Sequence, residues 1–265
     1  MKTKKTIIIL LVLVLTAAAF ISCSKSGTTL ASVQKKGKLS IATSPDFPPF
    51  ESLSDSSTVE GIEIDILNII ADKLSVELEI NQMDFDSVLP GVQAGKFDVG
   101  VSGISITEKR KKNVLFTDPY CLAAQAIVVT ESSSIKSKAD LEGKKVSVQT
   151  GTTAETYTME NGYAVSSFAA NSDAEAALTS GKVDAWVIDD LTAAEMVKSY
   201  NENASEKLVI LDDAMTTEPY AFAFALGSDD LVNEVNSILK TLLADGTIAS
   251  IFAKYDAPYT SPASN

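Results

Sequence analysis

Two short turns in this 265-residue chain are built from glycine and small hydroxyl residues, Ser102-Gly103-Ile104-Ser105-Ile106-Thr107 and Thr150-Gly151-Thr152-Thr153. Each follows a run that reads as a strand and opens one that reads as a helix. A helix N-terminus presents unpaired N–H groups and partial positive charge, which suits an anion such as a carboxylate. Glycine permits close backbone approach, and serine and threonine add hydroxyl donors. Taken alone, either turn is explained by ordinary helix capping. Arg110 changes that weighing. It stands one helical turn beyond Ile106 and Thr107 and can reach back to the same opening. Its guanidinium fork matches the two oxygens of a carboxylate. The flanking Lys109, Lys111 and Lys112 read as a solvated face.

Asp189 supplies the opposite charge. It closes the buried-looking strand "VDAWVID", and ligands of open α/β sheets bind beyond the carboxyl ends of strands. A carboxylate there can hold an ammonium group; the alternative is that it assists Asp190 in starting the next helix. Phe47 and Phe50 lie in the proline-stiffened turn "SPDFPPF" and can wall a pocket, though aromatics so spaced are commonly core. Trp186 reads as core.

What is missing excludes whole classes. The chain contains no histidine, so histidine-based nucleophilic catalysis is out. Without histidine or a close cysteine pair, zinc and copper sites have little to recommend them, and neither metal nor cofactor is expected. Net charge is −13, a surface that repels phosphate backbones, so no nucleic-acid partner is expected.

Residues 1–22 read as a signal peptide, with a basic "MKTKK", an apolar "IIILLVLVL" and small residues before a cleavage point. The uncharged stretch is short for a spanning helix. Cys23 follows in the position of a bacterial lipoprotein's lipidated cysteine. Residues 23–37 then read as a polar tether without periodicity. Lipid on Cys23 would anchor an exported protein to the membrane without spanning it. Cys121, left without a partner, reads as a small buried residue.

From Lys38 onward, strands and helices alternate. "KLSIAT" reads as a strand, and "DILNIIADKLS" as a helix with Ile66, Leu67, Ile70 and Leu74 on one stripe. "VELEI" is a strand with one wet face, "FDSVLPGVQAGK" a helix broken near Pro90, and "FDVGVSG" a strand. This βαβαβ grammar specifies a mostly parallel sheet. After the long strand "CLAAQAIVVT" the pattern restarts with "KKVSVQTG", two helices, the buried strand "VDAWVIDD", a third helix and the edge strand "KLVILDD". The strand "YAFAFAL" and two C-terminal helices complete it. Two α/β cores follow, with "CLAAQAIVV" and "YAFAFAL" as candidates to cross between them and a ligand cleft in between.

In order and spacing, "ATSPDFPPFES", "GIEIDILNIIADKL", "FDSVLPGVQAGKFDVGVSGISITEKR", "FTDPY", "LEGKKVSVQTGTTAE", "GKVDAWVIDD" and "LLADGTIASIFAKY" resemble the solute-binding proteins of family 3, the amino-acid-binding components of ABC importers. The resemblance runs from about Lys38 to Tyr255. It implies a two-lobed periplasmic-binding-protein fold of type II, with lobe I at residues 38–124 and 221–259 and lobe II at 125–220, joined by two crossover strands. It also implies a monomer that closes on an L-amino acid and delivers it to the transmembrane permease subunits. By motif, Arg110 pairs with the ligand α-carboxylate, and Ser105 and Thr153 supply donors. Ser102 or the Gly103 carbonyl contacts the α-ammonium, Asp189 pairs with it, and Phe47 covers the ligand. Members that select basic amino acids often carry an acid where Ser44 stands, so serine argues for a polar uncharged or small ligand, while Asp46 and Glu51 lie near enough to restore negative charge. The rival is an enzyme, because cyclohexadienyl and arogenate dehydratases resemble these binding proteins too.

Overall fold

The computed structural model describes residues 27–213 and 215–262. The signal peptide and Cys23 lie outside them. Among the described residues, no helix is long and apolar enough to cross a membrane.

Two five-stranded sheets form the two lobes. In the first, Lys38–Thr43 runs parallel to Glu77–Gln82 on one side and to Val99–Gly100 on the other. The return strand Ala223–Ala225 and the strand Val114–Phe116 then add antiparallel pairs. In the second, Lys145–Gln149 lies parallel to Ala164–Phe168 and Ala185–Asp189, and Gln125–Thr130 and the edge strand Leu208–Ile210 are antiparallel. All five residues of Ala185–Asp189 are buried, as an interior strand covered on both faces requires.

The connection between the lobes is a two-stranded antiparallel ribbon, Cys121–Ala123 against Glu218–Tyr220, with Cys121 opposite Tyr220 and Ala123 opposite Glu218. Both apolar runs expected to cross are therefore broken in two. Ala124 separates the crossover strand from the lobe II strand, and Ala221 and Phe222 separate it from the lobe I strand. Each run pairs with a different partner at each end, and the bend redirects it between sheets. Cys121 is buried as expected.

The helix Ile62–Leu74 buries Ile66, Leu67, Ile70 and Leu74 as its stripe predicts, and Glu63 with them. The C-terminal helices Asp229–Ala244 and Thr247–Lys254 pack on it, with Phe252 edge-on to Phe50 at 6.0 Å.

Two sequence expectations need correction. The helix Phe85–Gln93 runs unbroken through Pro90. Proline costs the helix one N–H bond, but Phe85, Val88 and Val92 are buried at helical spacing on one face and hold the segment in register. The stretch expected to lack periodic structure also contains a helix, Leu30–Lys36. Thr29 and Ser32 form a reciprocal capping box, and Gly37 ends it in the left-handed region at φ 68°. A single buried residue, Val33, leaves no apolar period for the sequence to display. The Leu30 N–H donates to Asp230 Oδ2 at 3.1 Å, docking the segment on the body of the protein.

A candidate ligand site between the lobes

The side chains singled out by chemistry converge on one space. A small cavity is lined by Phe47, Phe85, Ser102, Gly103, Ser105 and Arg110 from the first lobe and Gln149, Thr152, Thr153 and Asp189 from the second.

Arg110 is aimed by its own turn. Thr107 caps the short helix Glu108–Lys111, accepting from the Arg110 N–H at 3.1 Å. The guanidinium then donates through Nη1 to the Ser105 carbonyl at 2.9 Å and through Nη2 across the cleft to the Gly151 carbonyl at 3.1 Å. Its carbon lies 5.7 Å from the centre of the Phe85 ring, within cation–π range. These bonds use part of a five-donor fork and leave the rest for an anion. Burial pulls the guanidinium down from its ordinary value, against the charges of Glu218 and Asp189, and it stays cationic.

Asp189 precedes the helix Asp190–Asn203 but makes no capping bond with its side chain. Asp190 takes that duty, its Oδ1 accepting from the N–H groups of Leu191 at 2.8 Å and Ala124 at 3.2 Å. Asp189 instead accepts a short hydrogen bond from the Tyr220 hydroxyl on the crossover ribbon. Burial first, then the charge of Glu218, raises the Asp189 carboxyl to about 8, while Tyr220 and Arg110 oppose the rise.

The floor is aromatic. Phe47 stacks on Phe50 at 5.6 Å and leans on Tyr220 at 6.4 Å. Gly103 makes this possible: at φ 51°, a Cβ there would fall 2.4 Å from a Phe47 ring carbon. Gly151, at φ 82°, plays the same part between the lobes, where a Cβ would meet Asp86 at 3.1 Å. Phe50 is core rather than wall, and so is Trp186.

On the far side, the helix Thr153–Glu160 begins at the cavity, capped by Thr152, which accepts from the Glu155 N–H at 3.1 Å. Capping and binding thus divide the two turns. Thr107 and Thr152 cap, Thr150 bonds the Phe168 carbonyl, and Ser105 and Thr153 face the cavity. The Thr153 hydroxyl accepts from Gln125 Nε2 at 2.9 Å, which orients it. Phe85, Gln149 and Thr152 complete the lining and were not foreseen.

Ser44 and Asp46 do not line the cavity. The Ser44 hydroxyl donates to Asp46 Oδ1 at 2.8 Å, and Asp46 Oδ2 accepts from Gln149 Nε2 at 3.0 Å and the Asn171 N–H at 2.8 Å. The helix Asn171–Thr179 has no side-chain cap of its own, since Ala170 precedes it. Asp46 of the first lobe supplies it, so this carboxylate latches the lobes. Asp46→Ala should lower the closed population and weaken ligand binding by roughly thirtyfold, since the helix cap is worth about 1 kcal/mol and the Gln149 bond about as much. Solution scattering with and without ligand measures the first effect, and titration calorimetry the second. An unchanged radius of gyration in the ligand-free protein would contradict the latch.

Among the described residues, no cluster of three or more histidine, cysteine, aspartate or glutamate side chains could hold a metal ion. A cationic fork from one lobe, a helix N-terminus and a carboxylate from the other, and aromatic rings beneath bring both signs of charge to one small space.

Comparison with known proteins agrees with this chemistry. A curated relative, a probable histidine-binding protein of Neisseria gonorrhoeae, is 31% identical over 255 residues, covering 91% of this chain and 92% of its own. Crystal structures of an ancestral arginine-binding protein carry arginine or glutamine. The arginine-bound one is 41% identical, with TM-score 0.77, over 83% of this chain and 98% of its own. An ancestral amino-acid-binding protein described as a precursor of cyclohexadienyl dehydratase is 36% identical, with TM-score 0.79, covering 86% and 99%. Residues 39–257 match the family model itself. The chain belongs to the bacterial extracellular solute-binding proteins, family 3.

Proposed function

We propose that this protein captures an L-amino acid between its lobes and delivers it to the transmembrane subunits of an ABC importer. It would act as a monomer held to the membrane by lipid on Cys23. The observation that carries the reading is the pairing of Arg110 and Asp189 in one closed cavity. Burying a zwitterion is tolerable only when both charges are met. The closed form then becomes the dominant population because the ligand bridges both walls.

Side-chain preference follows from what the cavity holds. Arg110 is its single basic residue and is committed to the α-carboxylate, so acidic amino acids should bind weakest. Ser44 points to Asp46 instead of the cavity, so it carries no argument against a basic side chain. Glu218, buried beside the site, adds negative charge. Polar uncharged, small and basic amino acids therefore all remain candidates, and histidine, arginine and glutamine head the panel because relatives of this chain bind them or bear their names. Turnover is the less supported reading. Asp189 is the one carboxyl among the lining residues, and pairing with the ammonium leaves no second lining acid for an elimination.

The test is thermal unfolding of the protein, stripped of carried-over ligand by unfolding and refolding, against all L-amino acids and cystine. A ligand at a hundred times its Kd stabilises by about 2.7 kcal/mol, a readily visible shift. Silence across the panel, with turnover of prephenate or arogenate, would replace this reading with the enzymatic one.

A further inference from the structure

Two carboxyl groups lie completely buried in the first lobe, behind the cavity rather than in it. Glu51 and Glu63 are both 0% exposed, an uncommon place for acids. Their surroundings differ sharply. Glu63 Oε2 accepts the N–H groups of Ser102 at 3.0 Å and Gly103 at 2.9 Å, and Oε1 accepts the Tyr120 hydroxyl at 2.6 Å. Three donors and no acceptor are what an ionised carboxylate needs. Neither Glu51 oxygen has a hydrogen-bond partner of normal geometry, although Glu63 and the Ser102 side chain lie against it. Burial, then the neighbouring charge of Glu63, raises the Glu51 carboxyl well above the ordinary range. The three donors make Glu63 the member of the pair suited to accept from its surroundings as a carboxylate.

The turn that Glu63 grips is the one whose two residues line the cavity. Ser102 has φ 135° and Gly103 φ 51°, and a serine in that region is uncommon enough to need an external hold. In a trans peptide the N–H and C=O point in opposite directions. With the Gly103 N–H drawn to Glu63, the Ser102 carbonyl faces away from that carboxylate, and both residues of the peptide line the cavity. Neither the Ser102 nor the Gly103 carbonyl accepts a hydrogen bond from the described residues. A carboxylate on the N–H side also polarises that peptide, making its carbonyl a stronger acceptor.

We infer that Glu63 is a positioning residue for ammonium recognition: it locks the Ser102–Gly103 turn and turns the Ser102 carbonyl into the cavity as a second acceptor beside Asp189. This rests on the amino-acid-binding reading above. Asp189 approaches the ammonium from the second lobe and the Ser102 carbonyl from the first, so the pair also ties ammonium binding to closure. Glu51, neutral, fills the space behind.

Two isosteric variants separate this from a merely structural role. Glu51→Gln exchanges one neutral group for another and should bind the amino acid as the wild type does. Glu63→Gln keeps shape and removes charge, and should weaken binding roughly tenfold, the difference between a charge-assisted and a neutral hydrogen bond. Its loss should be larger for the amino acid than for the α-hydroxy acid of the same side chain, which has no ammonium. Wild-type affinity in Glu63→Gln, equal losses in both variants, or equal losses for both ligands would overturn the inference. Amide exchange in the ligand-free wild type needs no variant: the Ser102 and Gly103 N–H groups should exchange slowly even with the lobes open, and fast exchange would also overturn it. If the wild type binds no amino acid at all, the functional reading fails, while the exchange measurement still decides whether Glu63 holds the turn.

Discussion

Arg110→Ala should all but eliminate amino-acid binding, raising Kd by two to four orders of magnitude with a much smaller change in thermal stability. The size follows from what is left behind. The ligand carboxylate would enter a closed, largely desolvated cavity with no counter-charge, and truncating one partner of such a pair costs about 2–5 kcal/mol or more. Two native bonds also disappear, to the Ser105 and Gly151 carbonyls, and the second spans the lobes, so closure weakens as well. Arg110→Lys should recover only a small part. Lysine keeps the charge but has no fork to bond two carbonyls and a carboxylate at once. Titration calorimetry on the three proteins decides the matter, and near-native affinity in either variant would remove Arg110 from the site.

The second large effect is a proton. In the closed site the Asp189 carboxyl sits at about 8 against an ordinary value of 3.8, so at neutral pH it is mostly protonated. An arriving α-ammonium needs it ionised, and binding should release close to one proton below pH 8. Observed affinity should then fall toward tenfold for each pH unit below 8, as linkage requires. Calorimetry in buffers of different ionisation enthalpy counts that proton directly. No release at pH 6.5, with a flat Kd from pH 6 to 8, would refute it. Glu218→Gln removes the second cause of the raised value and should flatten the profile. Stability of the empty protein moves the other way. A carboxyl raised by folding favours the native state below its unfolded value, near pH 4, and that contribution is lost as pH climbs through about 8. Ligand restores the balance by supplying the missing cation, so its stabilising effect should grow between pH 6 and 8.

How far the sequence carried can be seen at individual residues. Arg110 and Asp189 were legible because their chemistry is rare in context, a fork after a hydroxyl turn and an acid ending a strand apolar on both faces. The stripe of Ile62–Leu74 was legible because the helix period writes burial directly into spacing. Glu63 falls on that same stripe, three residues before Ile66, and its charge on an apolar face was a signal that passed unread. Phe85 and Gln149 carried none, since an aromatic at a helix start and a glutamine ending a strand are ordinary in isolation. The helix Leu30–Lys36 was hidden for the opposite reason: with one buried residue it owes its place to caps and to Asp230, not to periodicity.

By itself, the sequence determined the local elements, the alternation that makes two α/β lobes, and the opposite charges that a zwitterion needs. These depend on neighbours within a few residues, through backbone period, turn chemistry and side-chain type. The tertiary structure alone decided where each side chain spends its bonds. It sent Asp46 across the cleft to cap another lobe's helix and left Ser44 as its support. It raised Asp189 by enclosing it with Glu218, and it set Glu63 behind the turn it holds. Those outcomes depend on groups brought together from distant parts of the chain, and on the loss of water between them.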